Sequence, residues 1–249
     1  MPTAALMAGL VGLASGSMLG AAAARWPDLD QSFLVGRSAC ASCGRTLGPG
    51  ELVPVWSWLR QRGRCRHCGA SIGWLPLVAE LAGGGVAVLA FATLDPASAA
   101  LATLLGWWLL LLALIDAEHG RLPDVLTLPL TGLGVVVAVA APVPGLVDPL
   151  ASALGALFGF LLFVAVARLY RAWRGRDGLG HGDAKLLAAL GAWLGLGGLA
   201  PAILTAAILA LGFALASGRH RADDALAFGP WLALAGFVLF CWQLFVGAG

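Results

Sequence analysis

Two aspartates stand beside apolar stretches where charge is costly. Asp116 follows directly on Leu111-Leu112-Ala113-Leu114-Ile115, and Asp183 lies in Gly178-Leu179-Gly180-His181-Gly182-Asp183-Ala184-Lys185, ahead of another apolar run. Ionisable residues at the edge of membrane helices are rare, and they are functional candidates by default. Two carboxylates brought to one site hold a single proton between them. One can then act as base on a water while the other, protonated, polarises a carbonyl, which requires both to lie within hydrogen-bond reach of that water. The glycines before Asp183 would let the backbone come close to an extended substrate. Position alone leaves a plainer reading open: Asp183 as the N-cap of the helix it opens, and Asp116 as the first polar residue after a span. Asp124, in Leu122-Pro123-Asp124-Val125, reads as the N-cap of the following helix. Glu80 falls within a helix, to pair with a basic loop residue or serve a second activity. Lys185 is a counter-charge near Asp183 or an edge lysine, and His119 and His181 are loop histidines that tune the site or are incidental.

A second cluster has different chemistry. Cys40-Ala-Ser-Cys43 and Cys65-Arg-His-Cys68 are two C-x2-C knuckles separated by 21 residues. This is the pattern of a tetrahedral four-cysteine zinc site, although the gap is slightly longer than usual in a zinc ribbon. Gly44 and Gly69 follow the knuckles and allow tight turns. Four thiolates leave no open coordination position, so the zinc would be structural. The competing reading is two disulfides, which a reducing compartment disfavours. His67 is a bystander inside the second knuckle, and Cys241 is a small apolar residue of the last helix.

The elements that must position these residues follow from composition. Of 249 residues, 60% are hydrophobic and only 11% charged, against about 25% charged in ordinary soluble domains. The mean hydropathy is +0.89. A bilayer-spanning helix needs about 20 apolar residues, and eight stretches qualify: 3–24, 76–94, 97–115, 125–141, 149–170, 184–199, 201–217 and 228–246. The first lacks the basic start of a signal peptide, and Gly16, Ser17 and Gly20 look like small-residue packing positions. The expected fold is an all-α polytopic membrane protein. It comprises the first helix (1–24), a small zinc-binding segment (25–75) and a seven-helix membrane domain (76–249). The middle segment is too small to bury a core and needs a staple.

Basic residues set orientation. Counted with bordering helix ends, seven fall in 25–75, one in 116–124, five around 171–183 and two in 218–227, which accounts for all 15 Lys and Arg. The opposite loops, near Asp95, Asp148 and Gly197, hold none. This places both termini outside, and Asp116, Asp183 and the cysteines on the cytoplasmic side.

With these residues in view, the chain resembles the bacterial type IV prepilin peptidases, bifunctional leader peptidase/N-methyltransferases of the GxGD aspartyl protease type. Gly180-His181-Gly182-Asp183-Ala184-Lys185 resembles the GxGDxK motif, and Ile115-Asp116 through Leu122-Pro123-Asp124 resembles the first aspartate motif. Arg62-Gly63-Arg64-Cys65-Arg66 matches the second knuckle of the family's zinc domain, and Pro76-Leu77-Val78-Ala79-Glu80-Leu81 is similar to its entry into helix two, with an extra Ala. The resemblance implies an enzyme of the bacterial inner membrane that cuts a short basic leader after a Gly on the cytoplasmic side. Its substrates would be type IV prepilins or type II secretion pseudopilins. It would then methylate the new N-terminal residue with S-adenosylmethionine. Asp116 and Asp183 become the catalytic pair, and Cys40, Cys43, Cys65 and Cys68 the ligands of a structural Zn2+. The expected partners are these precursors and the lipid bilayer, with no nucleic acid. Two departures fall on the half associated with methyl transfer. Gly16-Ser17-Met18-Leu19-Gly20 lacks the family's Asn, and the first knuckle lacks its Pro. The rival readings are a peptidase without methyl transfer, a proton-coupled transporter, and a noncatalytic membrane scaffold.

Overall fold

The computed structural model describes residues 2–26, 37–141, 143–175, 180–218 and 227–247. Arg176, Arg219, Arg221, the Gly178-Leu179 start of the second aspartate motif, and the side chains of Arg174 and His181 lie outside the described residues. Eight α-helices follow in order: α1 (Pro2–Arg25), α2 (Trp56–Arg60), α3 (Leu75–Thr93), α4 (Pro96–His119), α5 (Asp124–Ala140), α6 (Pro149–Arg174), α7 (His181–Ala216) and α8 (Gly229–Gly247). Among the described residues six helices are long and apolar enough to cross a membrane, and α5 is a shorter apolar helix. A helix satisfies its own backbone bonds, which is why apolar spans take this form. The starts carry local punctuation. Asp148 caps α6 by accepting the Ala151 amide at 3.0 Å, and Pro149 occupies the first turn, where its missing N–H costs nothing.

The chain divides into two compact units, Met1–Leu114 and Ile115–Gly249. In the first, α1 and α3 pack backbone to backbone. A side chain at Gly12 would run into the Gly83 carbonyl, one at Gly16 into the Ala79 carbonyl, and one at Gly20 would stand 2.9 Å from the Ala79 Cβ. The expected small-residue seam is therefore present. Without a hydrophobic drive in lipid, such close approach is what lets dispersion hold two helices together. Between α1 and α3 lies the cysteine segment with the single-turn-and-a-half helix α2. Trp58 covers Gly63 and donates from Nε1 to the Gly73 carbonyl at 2.7 Å.

In the second unit α7 differs from expectation. Sequence placed a break between spans at 199–201, next to Pro201. The break instead falls at Gly195, with φ 69° and ψ −178°, and Pro201 lies within helix. That backbone conformation is essentially reserved for glycine. At Gly195 the run folds back on itself. On α6, a Cβ at Gly159 would meet both the Leu187 carbonyl at 2.7 Å and the Leu199 side chain at 3.3 Å. A straight helix would separate residues 187 and 199 by about 18 Å. Helix α8 touches both limbs: Gly236 meets Leu190 and Phe240 packs edge-on to Trp193 from the first limb, while Trp231 packs on Phe213 from the second. The eight expected spans thus correspond to α1, α3, α4, α5, α6, the two limbs of α7, and α8.

Candidate active site and cysteine cluster

Asp116 lies on the last turn of α4 and Asp183 in the first turn of α7, and both side chains are buried, with 6% and 9% of their surface exposed. Both belong to the unit Ile115–Gly249. Local structure explains how they come together. Helix α4 ends at His119, the chain turns at Gly120, and Leu122-Pro123 leads into α5. Gly182 in the first turn of α7 sits against that turn, since a Cβ there would stand 2.8 Å from the Leu122 Cβ. The Asp183 carboxylate takes a backbone hydrogen bond from Gly180 and interacts electrostatically with Asp116. Asp116 Oδ2 accepts the Gly229 amide at 3.0 Å. Each carboxylate is therefore held at the start of a helix, α7 or α8, where unpaired N–H groups and the helix dipole favour an acid.

The neighbouring candidates sort differently. Asp183 occupies the third helical position and Gly180 is the N-cap of α7, so Asp183 is not itself the N-cap; its carboxylate reaches back to the Gly180 amide as the third-position acid of a capping box does. Asp124 is the first residue of α5, whose N-cap is Pro123, and no side chain caps that end. Asp124 forms an ion pair with Lys185. The first aspartate motif and the GxGDxK motif are thus tied by charge as well as by the Gly182–Leu122 contact. His119 ends α4 rather than lying in a loop, 3.6 Å from Glu118. Glu80 is buried in α3, 7% exposed. It accepts the Ser17 hydroxyl at 2.8 Å and the Val55 amide at 2.6 Å. The partners found for it are thus a hydroxyl and an amide.

The four cysteines Cys40, Cys43, Cys65 and Cys68 converge, with sulfurs all within 4.8 Å of one another, and could hold a metal ion. The two knuckles repeat the same turn. Cys40 N–H bonds to the Arg45 carbonyl and Gly44 N–H to the Cys40 carbonyl, while Cys65 and Gly69 make the equivalent bonds with Ala70 and Cys65. Gly44 and Gly69 both take positive φ, 69° and 73°. Isolated antiparallel bridges, Ala39 with Thr46 and Arg64 with Ser71, close each turn at the same offset. The Cys40 and Cys68 sulfurs are 3.8 Å apart. A disulfide needs about 2.05 Å, whereas the edge of a tetrahedron with Zn–S of about 2.3 Å is about 3.8 Å. The amides of Cys43 and Ser42 pull the Cys40 thiol down to about 6, and those of Cys68 and His67 lower Cys65, while against the Ala70 amide desolvation and the neighbouring thiols push Cys68 up to about 11. Amides that stabilise thiolate favour metal ligation. His67 is exposed and outside the cluster.

Sequence reasoning missed Gly229. Its signal was the Phe228-Gly229-Pro230-Trp231 string opening an apolar run, a helix start without a polar cap.

Comparison with known proteins covers both units. The type IV leader peptidase family matches residues 103–215, and the bacterial peptidase A24 N-terminal domain matches residues 10–94. A prepilin leader peptidase/N-methyltransferase of Burkholderia pseudomallei (strain 1026b) is 43% identical over 209 residues, covering 82% of this chain and 67% of its own length. Proteins of the same description from Dichelobacter nodosus and Pseudomonas aeruginosa are 40% and 39% identical, over 87% and 85% of this chain and 74% and 73% of theirs. No solved structure matches.

Proposed function

This chain belongs to the type IV leader peptidase family, and from that membership we propose that it cleaves the leader of prepilin or pseudopilin precursors and N-methylates the residue exposed. The observation that carries the reading is the pair of buried carboxylates, Asp116 and Asp183, drawn from two helices of one unit and close enough to feel each other's charge. In the proposed chemistry one carboxylate takes a proton from water as its oxygen attacks the scissile carbonyl. The other, protonated, gives its proton to the carbonyl oxygen. The gem-diol intermediate then collapses: the first carboxyl gives its new proton to the leaving amine as the C–N bond breaks, and the second takes a proton from a gem-diol hydroxyl as the carbonyl reforms, so the pair again holds one proton.

The multi-pass architecture fits a bacterial inner-membrane protein. The arginine distribution supports a site facing the cytoplasm, where a basic leader would reside. The methyl donor in this reading is S-adenosylmethionine, which supplies an electrophilic methyl group to the new N-terminal amine. The sulfur spacing and the thiolate-stabilising amides support zinc as the ion of the cysteine cluster, held by Cys40, Cys43, Cys65 and Cys68 as a closed structural site. A transporter is disfavoured, because Asp116 and Asp183 lie at helix ends and are held by backbone amides.

The test is incubation of the purified chain with a synthetic prepilin, with and without S-adenosylmethionine, read by mass spectrometry. Leader loss should need no donor, and a gain of one methyl should need it. Asp116→Asn and Asp183→Asn should each abolish leader loss while the protein still inserts into the membrane. Full cleavage by either variant would overturn the catalytic pair. Metal analysis of the same preparation should find one zinc per chain, and Cys65→Ser should lower it.

A further inference from the structure

Among the first amides of α8, one donor is left without a backbone partner. The leading N–H groups of a helix have no partner inside it. Pro230 has no N–H, and the amides of Trp231 and Leu232 both turn to the Phe228 carbonyl at 3.1 Å. Gly229 remains, and its N–H goes to Asp116 Oδ2 at 3.0 Å in a buried bond. The second observation is steric. A Cβ built on Gly229 would stand 2.6 Å from Asp116 Oδ2, 3.0 Å from its Cγ and 3.2 Å from its Cβ. The carboxylate occupies the space that a side chain at 229 would need. The segment has little room to yield, because Phe228 stacks on Phe163 with centroids 6.3 Å apart and Trp231 packs on Phe213 at 5.1 Å.

We propose that Gly229 is a positioning residue for leader cleavage: its amide fixes one oxygen of Asp116, and its missing side chain leaves the room in which that carboxylate sits. The role rests on the reading of Asp116 and Asp183 as the catalytic pair. Any side chain at 229 displaces this carboxylate, which in the proposed chemistry acts on the scissile bond and not in holding the precursor. The effect therefore falls on turnover and not on affinity.

The experiment uses the full chain in detergent micelles with a synthetic prepilin. Gly229→Ala should lower kcat on the order of ten- to a hundredfold, the scale of a misplacement near 1 Å, with KM unchanged. A Gly229→Ala protein with full kcat would overturn the proposal, as would a rise in KM with kcat intact. Where the substitution lowers the unfolding temperature too far for kinetics, the double variant Gly229→Ala/Asp116→Ala decides. Removing the carboxylate should relieve the 2.6 and 3.0 Å clashes and leave only the 3.2 Å approach of the two Cβ atoms, so Gly229→Ala should cost less unfolding temperature in the Asp116→Ala background than in the unsubstituted chain, and an equal or greater cost there would overturn the contact. Asp116→Asn separates the two claims. If it cleaves normally, the catalytic reading fails. If it is inactive while Gly229→Ala is fully active, only the role of Gly229 fails.

Discussion

Glu80 illustrates what a single buried acid does when it is not in the aspartate pair. Val55 takes φ 62° and ψ −51°, with the Trp56 amide bonded to the Pro54 carbonyl at 2.6 Å. This is a γ-turn of the rare, strained hand. The Val55 amide itself is held by Glu80 Oε2, and Oε1 takes the Ser17 hydroxyl. One carboxylate thus joins α1, α3 and the entrance to α2 and holds a strained turn that would otherwise relax. Glu80→Ala should lower stability by about 1–3 kcal/mol, the cost of leaving partly buried donors unpaired. Glu80→Gln keeps an acceptor and should cost less. Thermal unfolding of the purified protein checks the order, and equal effects from both variants would argue against it. The sequence made Glu80, Asp116 and Asp183 stand out because charge is scarce in this chain. It could not identify the amides that bind Glu80 and Asp116, because backbone amides carry no residue signature. Gly229 escaped notice for the same reason: its contribution is an N–H and an empty volume.

At the scale of elements, most helices were legible, because each is an apolar run bounded by polar or proline residues. The break in α7 was misplaced since proline is the louder signal and glycine is abundant, with 35 in the chain. Only tertiary packing distinguishes Gly195 from its neighbours. It sits where α6 meets both limbs, and a Cβ there would lie 3.0 Å from the Val147 side chain. Gly195→Ala combines a glycine-only conformation with that crowding. It should destabilise by about 1–3 kcal/mol from the backbone alone. Gly197→Ala, with open space around its Cβ, should cost far less. Comparing the two unfolding temperatures tests where the fold turns. A larger loss at Gly197 would move the turn toward Pro201. The knuckles were the most legible element because their chemistry fixes residue types at short spacing, and the positive φ at Gly44 and Gly69 follows from that geometry.

For the whole molecule, orientation is a matter of where charge can cross lipid. Moving Arg or Lys through the bilayer is costly, so short loops rich in them stay on the side of synthesis. The chain keeps every Lys and Arg in alternate loops and their borders. This pattern requires an even number of crossings between 25–75 and each later basic stretch. A single straight α7 would break it by sending 171–183 and 218–227 to opposite sides. The fold-back at Gly195 instead returns the far end of α7 toward the side on which the helix begins. Ala97 and Arg121 are both exposed and flank α4 at its two ends. Measured against the unsubstituted chain as the background for its native cysteines, Ala97→Cys should gain reaction with a membrane-impermeant maleimide in intact spheroplasts. Arg121→Cys should react only after the membrane is opened. The reverse pattern would place Asp116 and Asp183 on the wrong side for a basic leader, since such a leader is held in the cytoplasm by the same charge cost that orients the enzyme.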